Sequence, residues 1–236
     1  MPAYEFRTIT PGVETLSGRV SRPRHHHQEG YATVVLAGAF TEVSFAGRMD
    51  AEPGDVLLHG RFDCHLDIGR SRGSLQILRL PWRTDTLEGK FRLRDPDALA
   101  RLAEFDPELA ATQLYDDLRL PPPRERIWID ELAAALADNA GFLLQEWAER
   151  RGLRCDAVSR LFRREFGVTA KRFRLEARTR LAWRAVVGST RPLTEIAFQA
   201  GFTDLAHMSR SIHAFTGRPP RAWRGKPTAS SPAVLS

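Results

Sequence analysis

The spacing of apolar and polar positions changes once along this chain, near Asp95. Before it, short apolar runs alternate with turn-forming residues. Tyr31–Leu36 and Asp55–Leu58 are continuous runs, while Phe40–Phe45 and Ser74–Leu80 partly alternate. Gly30, Gly38, Gly47, Pro53-Gly54, Gly60, Gly69, Gly73 and Pro81 punctuate them. Closely spaced runs of this kind predict a small β-sandwich or barrel over residues 1–92. After Asp95 the period becomes helical. Asp95-Pro96 and Asp106-Pro107 each place an acidic N-cap before a proline at the first helical position. They predict one helix through Leu99, Leu102 and Ala103 and another through Leu109, Leu114 and Leu118. Pro121-Pro122-Pro123 stops the second helix and makes a stiff spacer. Residues 93–123 are therefore expected to be a helical linker, 124–226 an all-helical domain, and 227–236 a disordered tail.

The helical part holds two related units. In the first, Leu143, Leu144, Trp147 and Ala148 form an apolar stripe, Gly152 breaks it, and Val158, Leu161, Phe162 and Phe166 give a second helix its core face. In the second, Ile196, Ala197 and Ala200 form the stripe and Gly201 takes the turn. Thr203 is the expected N-cap, with Leu205, Met208, Ile212 and Phe215 as the apolar positions that follow. Ala148 to Gly152 and Ala197 to Gly201 share one spacing, and Gly152 to Phe162 matches Gly201 to Ser211 within one residue. A small residue, a glycine turn and a short amphipathic helix are the parts of a helix-turn-helix. A long helix over about Ala170–Val187, with Phe173, Leu175, Leu181 and Trp183, is predicted to join the two.

Charge sharpens this picture. The chain carries 35 Lys+Arg and 29 Asp+Glu for a formal charge of +6. From Asn139 to Lys226 there are 18 basic and 7 acidic residues, so this segment is +11 and the remainder −5. Such asymmetry points to a polyanion-binding module joined to something else. No apolar run approaches a membrane-spanning length, and MPAYEFRTITPGVETL lacks the basic-then-apolar order of a signal peptide. Cys64 and Cys155 sit in no paired motif, which excludes a disulfide scaffold or thiolate zinc site and suits a cytoplasmic protein.

Two stretches carry a family resemblance: VSRLFRREFGVTAKRF, and LTEIAFQAGFTDLAHMSRSIHAFTGRPPRAWR, which closes on Gly217, Pro220, Trp223 and Arg224. Residues from about Ile127 to Arg224 resemble the DNA-binding domain of AraC/XylS-type bacterial transcription regulators. Departures are Met208 and Ile212 where aromatic residues are common, Ala170 where proline is usual, and Leu205 and Ala206 where polar base-reading residues are frequent. The first recognition helix, about Asp156 to Phe166, is expected to present Asp156, Ser159, Arg160 and Arg163. The second, about Asp204 to Phe215, is expected to present Leu205, Ala206, His207, Ser209 and Arg210. Arg160 and Arg210 are the best candidates for base edges, because a guanidinium bonds guanine O6 and N7 together. Arg163, Arg164, Lys171, Arg172 and Arg221 suit phosphates.

In the first part of the chain, His25-His26-His27, Gly38, Pro53-Gly54-Asp55 and His65 resemble a cupin, a small β-barrel often fused ahead of AraC-type domains. The resemblance implies an α+β chain, a cupin-like β-barrel followed by an all-α domain with two helix-turn-helix motifs. It also matches His25, His27 and His65 to metal-ligand positions, although Tyr31 stands where the motif places a carboxylate and Glu29 lies closer to the histidines. No cofactor is required by this reading, with a divalent metal as the alternative. Asp55 is expected to shape its turn. An effector is expected near Tyr31, Val35, Leu57 and His65, where barrel mouths accept small molecules.

The leading expectation is thus a sequence-specific, non-enzymatic transcription regulator controlled by a small-molecule effector. Its partners would be double-stranded DNA, the effector and, as further candidates, RNA polymerase and a second copy of the chain, with no membrane. The rivals are a metal-dependent cupin enzyme fused to a helical domain and a sequence-indifferent architectural DNA binder.

Overall fold

The computed structural model describes residues 9–17, 21–70, 73–83, 87–122, 127–138 and 141–225. The start of the N-terminal segment, Pro123 of the expected spacer and the tail Pro227–Ser236 lie outside the described residues. The chain divides into two compact units, one mainly Glu5–Ser44 with Arg48–Glu125 and the other mainly Arg126–Thr228.

Among its described residues the first unit contains nine strands: β1 Gly12–Leu16, β2 Ser21–His25, β3 Tyr31–Ala37, β4 Phe40–Ser44, β5 Gly47–Ala51, β6 Asp55–His59, β7 His65–Gly69, β8 Leu75–Pro81 and β9 Gly89–Arg92. They form a five-stranded sheet, β1-β8-β3-β6-β9, and a four-stranded sheet, β2-β7-β4-β5. Side chains alternate across a strand, and β3 shows why its sequence does not. Val35 packs with Phe40, Leu57, Leu75 and Ile77 between the sheets. Ala32 and Val34 point the other way, into a core with Val56, Leu58, Leu78 and Leu80. With both faces covered, the strand reads as one continuous apolar run.

What covers the outer face corrects one expectation. Helices α1 (Pro96–Phe105) and α2 (Pro107–Asp117) start as predicted, with Asp95 accepting from Ala98 N and Asp106 from Glu108 N and Leu109 N. They are not a linker. Leu99, Ala103, Ala110 and Leu114 are buried in the same core as the five-stranded sheet, and an Arg92–Arg119 bridge returns the chain to β9 after α2. The stripe must be buried against something, and the outer face of the sheet supplies it.

Helices α3 (Trp128–Asp138), α4 (Leu144–Glu149), α5 (Cys155–Phe166), α6 (Ala170–Gly188), α7 (Leu193–Gln199), α8 (Leu205–Thr216) and α9 (Pro220–Trp223) make the second unit. The long α6 is its centre and packs against α3, α7, α8 and α9. Being contacted on several sides, it buries Glu176, Thr179 and Arg180 along with Phe173 and Trp183. Leu181, on the same helix, is 56% exposed.

Candidate functional site

The two helix-turn-helix heads repeat down to individual hydrogen bonds. Leu153 N donates to Ala148 O at 2.9 Å and Phe202 N to Ala197 O at 2.9 Å, while Gly152 N donates to Glu149 O and Gly201 N to Phe198 O, both at 3.0 Å. Closing these turns requires positive φ, +64° at Gly152 and +76° at Gly201, which glycine adopts without the clash a Cβ would bring. Ala148 and Ala197 are buried and small, so the two helices of each head can approach closely. Each recognition helix also ends on a left-handed glycine, Gly167 after α5 and Gly217 after α8.

The second head has one more residue between turn and helix, so Phe162 is matched by buried Ile212, not by half-buried Ser211. Thr203 is not the N-cap. Asp204 caps α8 by accepting from His207 N at 2.7 Å, and the Thr203 hydroxyl donates to Asp204 at 3.2 Å. The end of the unit is fastened by residues that carried the resemblance. Trp223 donates its indole N–H to Thr216 at 2.8 Å, and Arg224 donates to Ser189 O and Arg191 O. Arg178 donates to Gly201 O and lies over the Phe202 ring, tying the second turn to α6.

The expected DNA-facing residues fall into groups. Asp156, Arg160, Arg163 and Arg164 on α5, Lys171 on α6, Ala206 and Arg210 on α8 and Arg221 on α9 are exposed, whereas Ser159, Leu205, His207 and Ser209 are half-buried. Arg160 donates to Asp156 at 2.9 Å, and Arg154 holds the same carboxylate through two contacts of 3.2 Å. Those bonds hold the Asp156 carboxyl down at about 2. Arg164 pairs with Glu165 at 3.0 Å. Arg172 is drawn inward by buried Glu176 at 2.8 Å.

A second cluster lies in the β unit. A narrow cleft with a cavity volume of about 20 Å³, partly open to solvent, runs between the sheets beside Tyr31, Thr33, Glu42, His59, Asp67 and Arg79. The pairing register explains the polar side, since Arg22, Asp67 and Glu42 lie side by side across β2, β7 and β4. Of the expected effector residues, Tyr31 lines the cleft and His65 adjoins it, its Nε2 3.0 Å from the Tyr31 hydroxyl. Val35 and Leu57 are fully buried in the apolar core between the sheets and do not line it.

His25, His27 and His65 do come together, their ligand-capable atoms lying within 4.8 Å of one another. They are not on one strand, because β2 ends at His25 and His27 lies beyond it. His26 points away, 3.6 Å from Cys64 Sγ. Asp55 fills its expected role, accepting from Glu52 N at 3.0 Å in the turn and pairing with Lys90 at 2.7 Å. Sequence reasoning missed Glu42 and His59, which form a second group with His65.

The electrostatics follow from burial. Desolvation pushes the Glu42 carboxyl up to about 8, against the pull of His59. Burial would lower His59, but Glu42 and Asp63, each 3.4 Å from its ring, raise it. Desolvation and the neighbouring histidines keep His65 well below the usual imidazole value. Burial pulls Glu14 upward, but Arg79 and Arg22, both 3.0 Å away, outweigh it and hold its carboxyl low.

Residues 147–226 match a family model described as a helix-turn-helix domain. Among solved structures the chain is similar to fatty-acid-bound ToxT from Vibrio cholerae, at 10% identity and a TM-score of 0.40 over 91% of this chain and 94% of that one. It is also similar to an AraC-type regulator from Chromobacterium violaceum, at 20% identity, a TM-score of 0.38, and 41% and 88% coverage. A third is the C-terminal domain of AraT, a response regulator from Geobacillus stearothermophilus, at 17% identity, a TM-score of 0.40, and 48% and 95% coverage. No curated protein sequence matches the chain. Among the described residues no helix is long and apolar enough to cross a membrane. The doubled head, its glycine turns and the family match together make residues 147–226 a helix-turn-helix domain, preceded in the chain by a β unit of two antiparallel sheets.

Proposed function

We propose that this chain is a sequence-specific transcription regulator that reads one asymmetric DNA site with both heads and answers to a small effector held in the β unit. The observation that carries it is the repeat of the helix-turn-helix, turn hydrogen bonds included, on either side of α6. At 1.5 Å per residue the 19-residue α6 spans about 28 Å. Successive major grooves on one face of B-DNA recur about every 34 Å, so one chain reaches two of them. Arg160 and Arg210 read base edges; Arg163, Arg164, Lys171 and Arg221 bind phosphates, with Arg172 weaker because Glu176 holds it. The effector occupies the cleft beside Tyr31. The protein acts in the cytoplasm and carries no catalytic role, with RNA polymerase and a second copy of the chain as candidate partners.

Selection from random DNA by the full chain tests this. A bipartite motif with its halves about one helical turn apart is expected, with affinity falling steeply as salt rises. A motif of a single half, or none, overturns the two-headed reading. The histidine cluster favours a second reading, a metal-dependent cupin enzyme. It predicts turnover by metal-loaded protein, and gives the helical unit no task.

A further inference from the structure

The two recognition helices can be laid over each other residue by residue. From Val158 to Phe173 and from Met208 to Trp223 the heads run in one constant register. Buried Val158, Phe162 and Phe173 match buried Met208, Ile212 and Trp223. The left-handed glycines that end the helices, Gly167 at φ +72° and Gly217 at +75°, match as well. Helices that bury the same positions turn the same positions outward, so the outward residues can be compared one for one.

The comparison separates a shared frame from a divergent rim. Ser159-Arg160 matches Ser209-Arg210, both arginines being exposed and both serines half-buried. Lys171 matches Arg221, each the second residue of the helix after the glycine. Around this frame the heads part. Asp156 is matched by Ala206, Arg163 by His213 and Arg164 by Ala214, all six exposed. Sequence reasoning did not single out His213, yet it follows Arg210 by the spacing at which Arg163 follows Arg160, one turn along the same face.

A guanidinium at the same place on the same helix meets the same groove edge, and its bidentate partner there is guanine. We propose that both halves of the DNA site present a guanine to the matched arginines, and that His213 is a DNA contact of the second head, the counterpart of Arg163. The inference deepens the two-headed reading above and rests on it. Charge makes the two grips unequal. The first head sets Arg163 and Arg164 beside its reading arginine, where the second sets one imidazole and one methyl group. Each phosphate met by a cation releases a counterion, so the first head carries more of the salt-dependent affinity. The His213 ring still has an N–H to donate to a phosphate oxygen. The second half is read by the same chemistry and held less tightly.

The test uses the full chain and duplexes built from the motif it selects. Each half-site should carry one guanine that depends on Arg160 or on Arg210. Glutamine pairs with adenine as arginine pairs with guanine. Arg160→Gln should therefore replace the guanine of one half by adenine, and Arg210→Gln that of the other, an exchange that a folding defect cannot mimic. His213→Ala should weaken binding about two- to tenfold, the worth of one hydrogen bond, and leave the selected bases unchanged. His213→Arg should tighten it by up to about tenfold at 0.1 M salt and steepen the slope of log affinity against log salt by about one. A duplex keeping only the half read by Arg160 should bind more tightly than one keeping only the half read by Arg210.

A guanine in one half alone, or a glutamine variant that keeps its guanine, overturns the shared reading. If neither substitution of His213 changes affinity, it is not a contact, and equal binding of the two half-duplexes removes the unequal grip. In each of these cases a bipartite motif is still selected and the regulator reading stands. A chain that selects no motif, or a single half, fails that reading instead.

Discussion

The two heads share a fold and differ in how they use one acidic residue each. In the second head Asp204 spends its carboxylate on the helix itself, accepting from His207 N at the start of α8. In the first head α5 begins after Arg154 with no side-chain cap, and Asp156 instead gathers Arg154 and Arg160. One head uses its acid to hold backbone; the other uses it to aim guanidiniums. The difference teaches that a repeated motif keeps its turn chemistry and its buried positions, while its exposed charges are free to diverge.

The buried equivalence offers the largest way to break this comparison. Phe162 and Ile212 are both fully buried at matched positions. Phe162→Ala should cost about 3–5 kcal/mol and Ile212→Ala about 2–5 kcal/mol. Four of the five tryptophans, at 128, 147, 183 and 223, lie in this unit, so urea unfolding followed by tryptophan fluorescence reports it. If only one substitution lowers the midpoint, the heads do not share a core through α6.

Base reading comes next. Arg160→Ala and Arg210→Ala should each remove about 1–3 kcal/mol of discrimination, at positions about one helical turn apart in the selected motif. Arg163→Ala should weaken binding to all sequences and lower the slope of log affinity against log salt by about one. Changes at the same base pair would mean that the heads do not read separate grooves.

A smaller effect tests the turns. A Cβ at position 152 meets nothing within 4 Å, so any cost of Gly152→Ala comes from its positive φ alone. It should be about 1–2 kcal/mol by the same urea assay, and asparagine there should recover part of it. An unchanged midpoint would show that the turn relaxes.

The helical unit was largely legible because its signals are local. Ala148, Gly152, Ala197 and Gly201 act within a few residues of themselves, and their spacing survives in the sequence. Thr203 was misread because Asp204, one residue later, competes for the same cap and wins with the stronger acceptor. Which faces of α6 are covered was not legible, because α6 is contacted on several sides, which no single-helix period reveals. In the β unit, β2 is SRPRH, too polar to stand out as a strand. Glu42 sits in Phe40–Ser44 as the polar member of an ordinary alternation. Only the register that sets it beside Asp67, two residues from His65 on β7, brings it to the histidines. The α1 and α2 stripes were visible, but what they cover is a sheet whose outer face is defined by pairings distant in sequence.

The smallest expected effect returns to the two acids. Asp204→Ala removes a cap and should lower the urea midpoint of the helical unit, with Asp204→Asn restoring most of it, because either side chain accepts from a helix N–H. Asp156→Ala should leave the midpoint nearly unchanged, since its partners are exposed guanidiniums. It should instead relax base preference at the position that Arg160 reads, because Asp156 is the carboxylate that holds that guanidinium. The pH behaviour separates aiming from simple charge. A carboxyl held down near 2 keeps its ion pairs at every pH above its ordinary value of 3.8 and loses them only as pH falls through 2. Base preference at the Arg160 position should therefore stay constant from pH 5 to 8, measured by competition between matched and single-substitution DNA sites. A preference that changes across that range would show that a group other than Asp156 positions Arg160, and the contrast between the two heads would no longer rest on their acids.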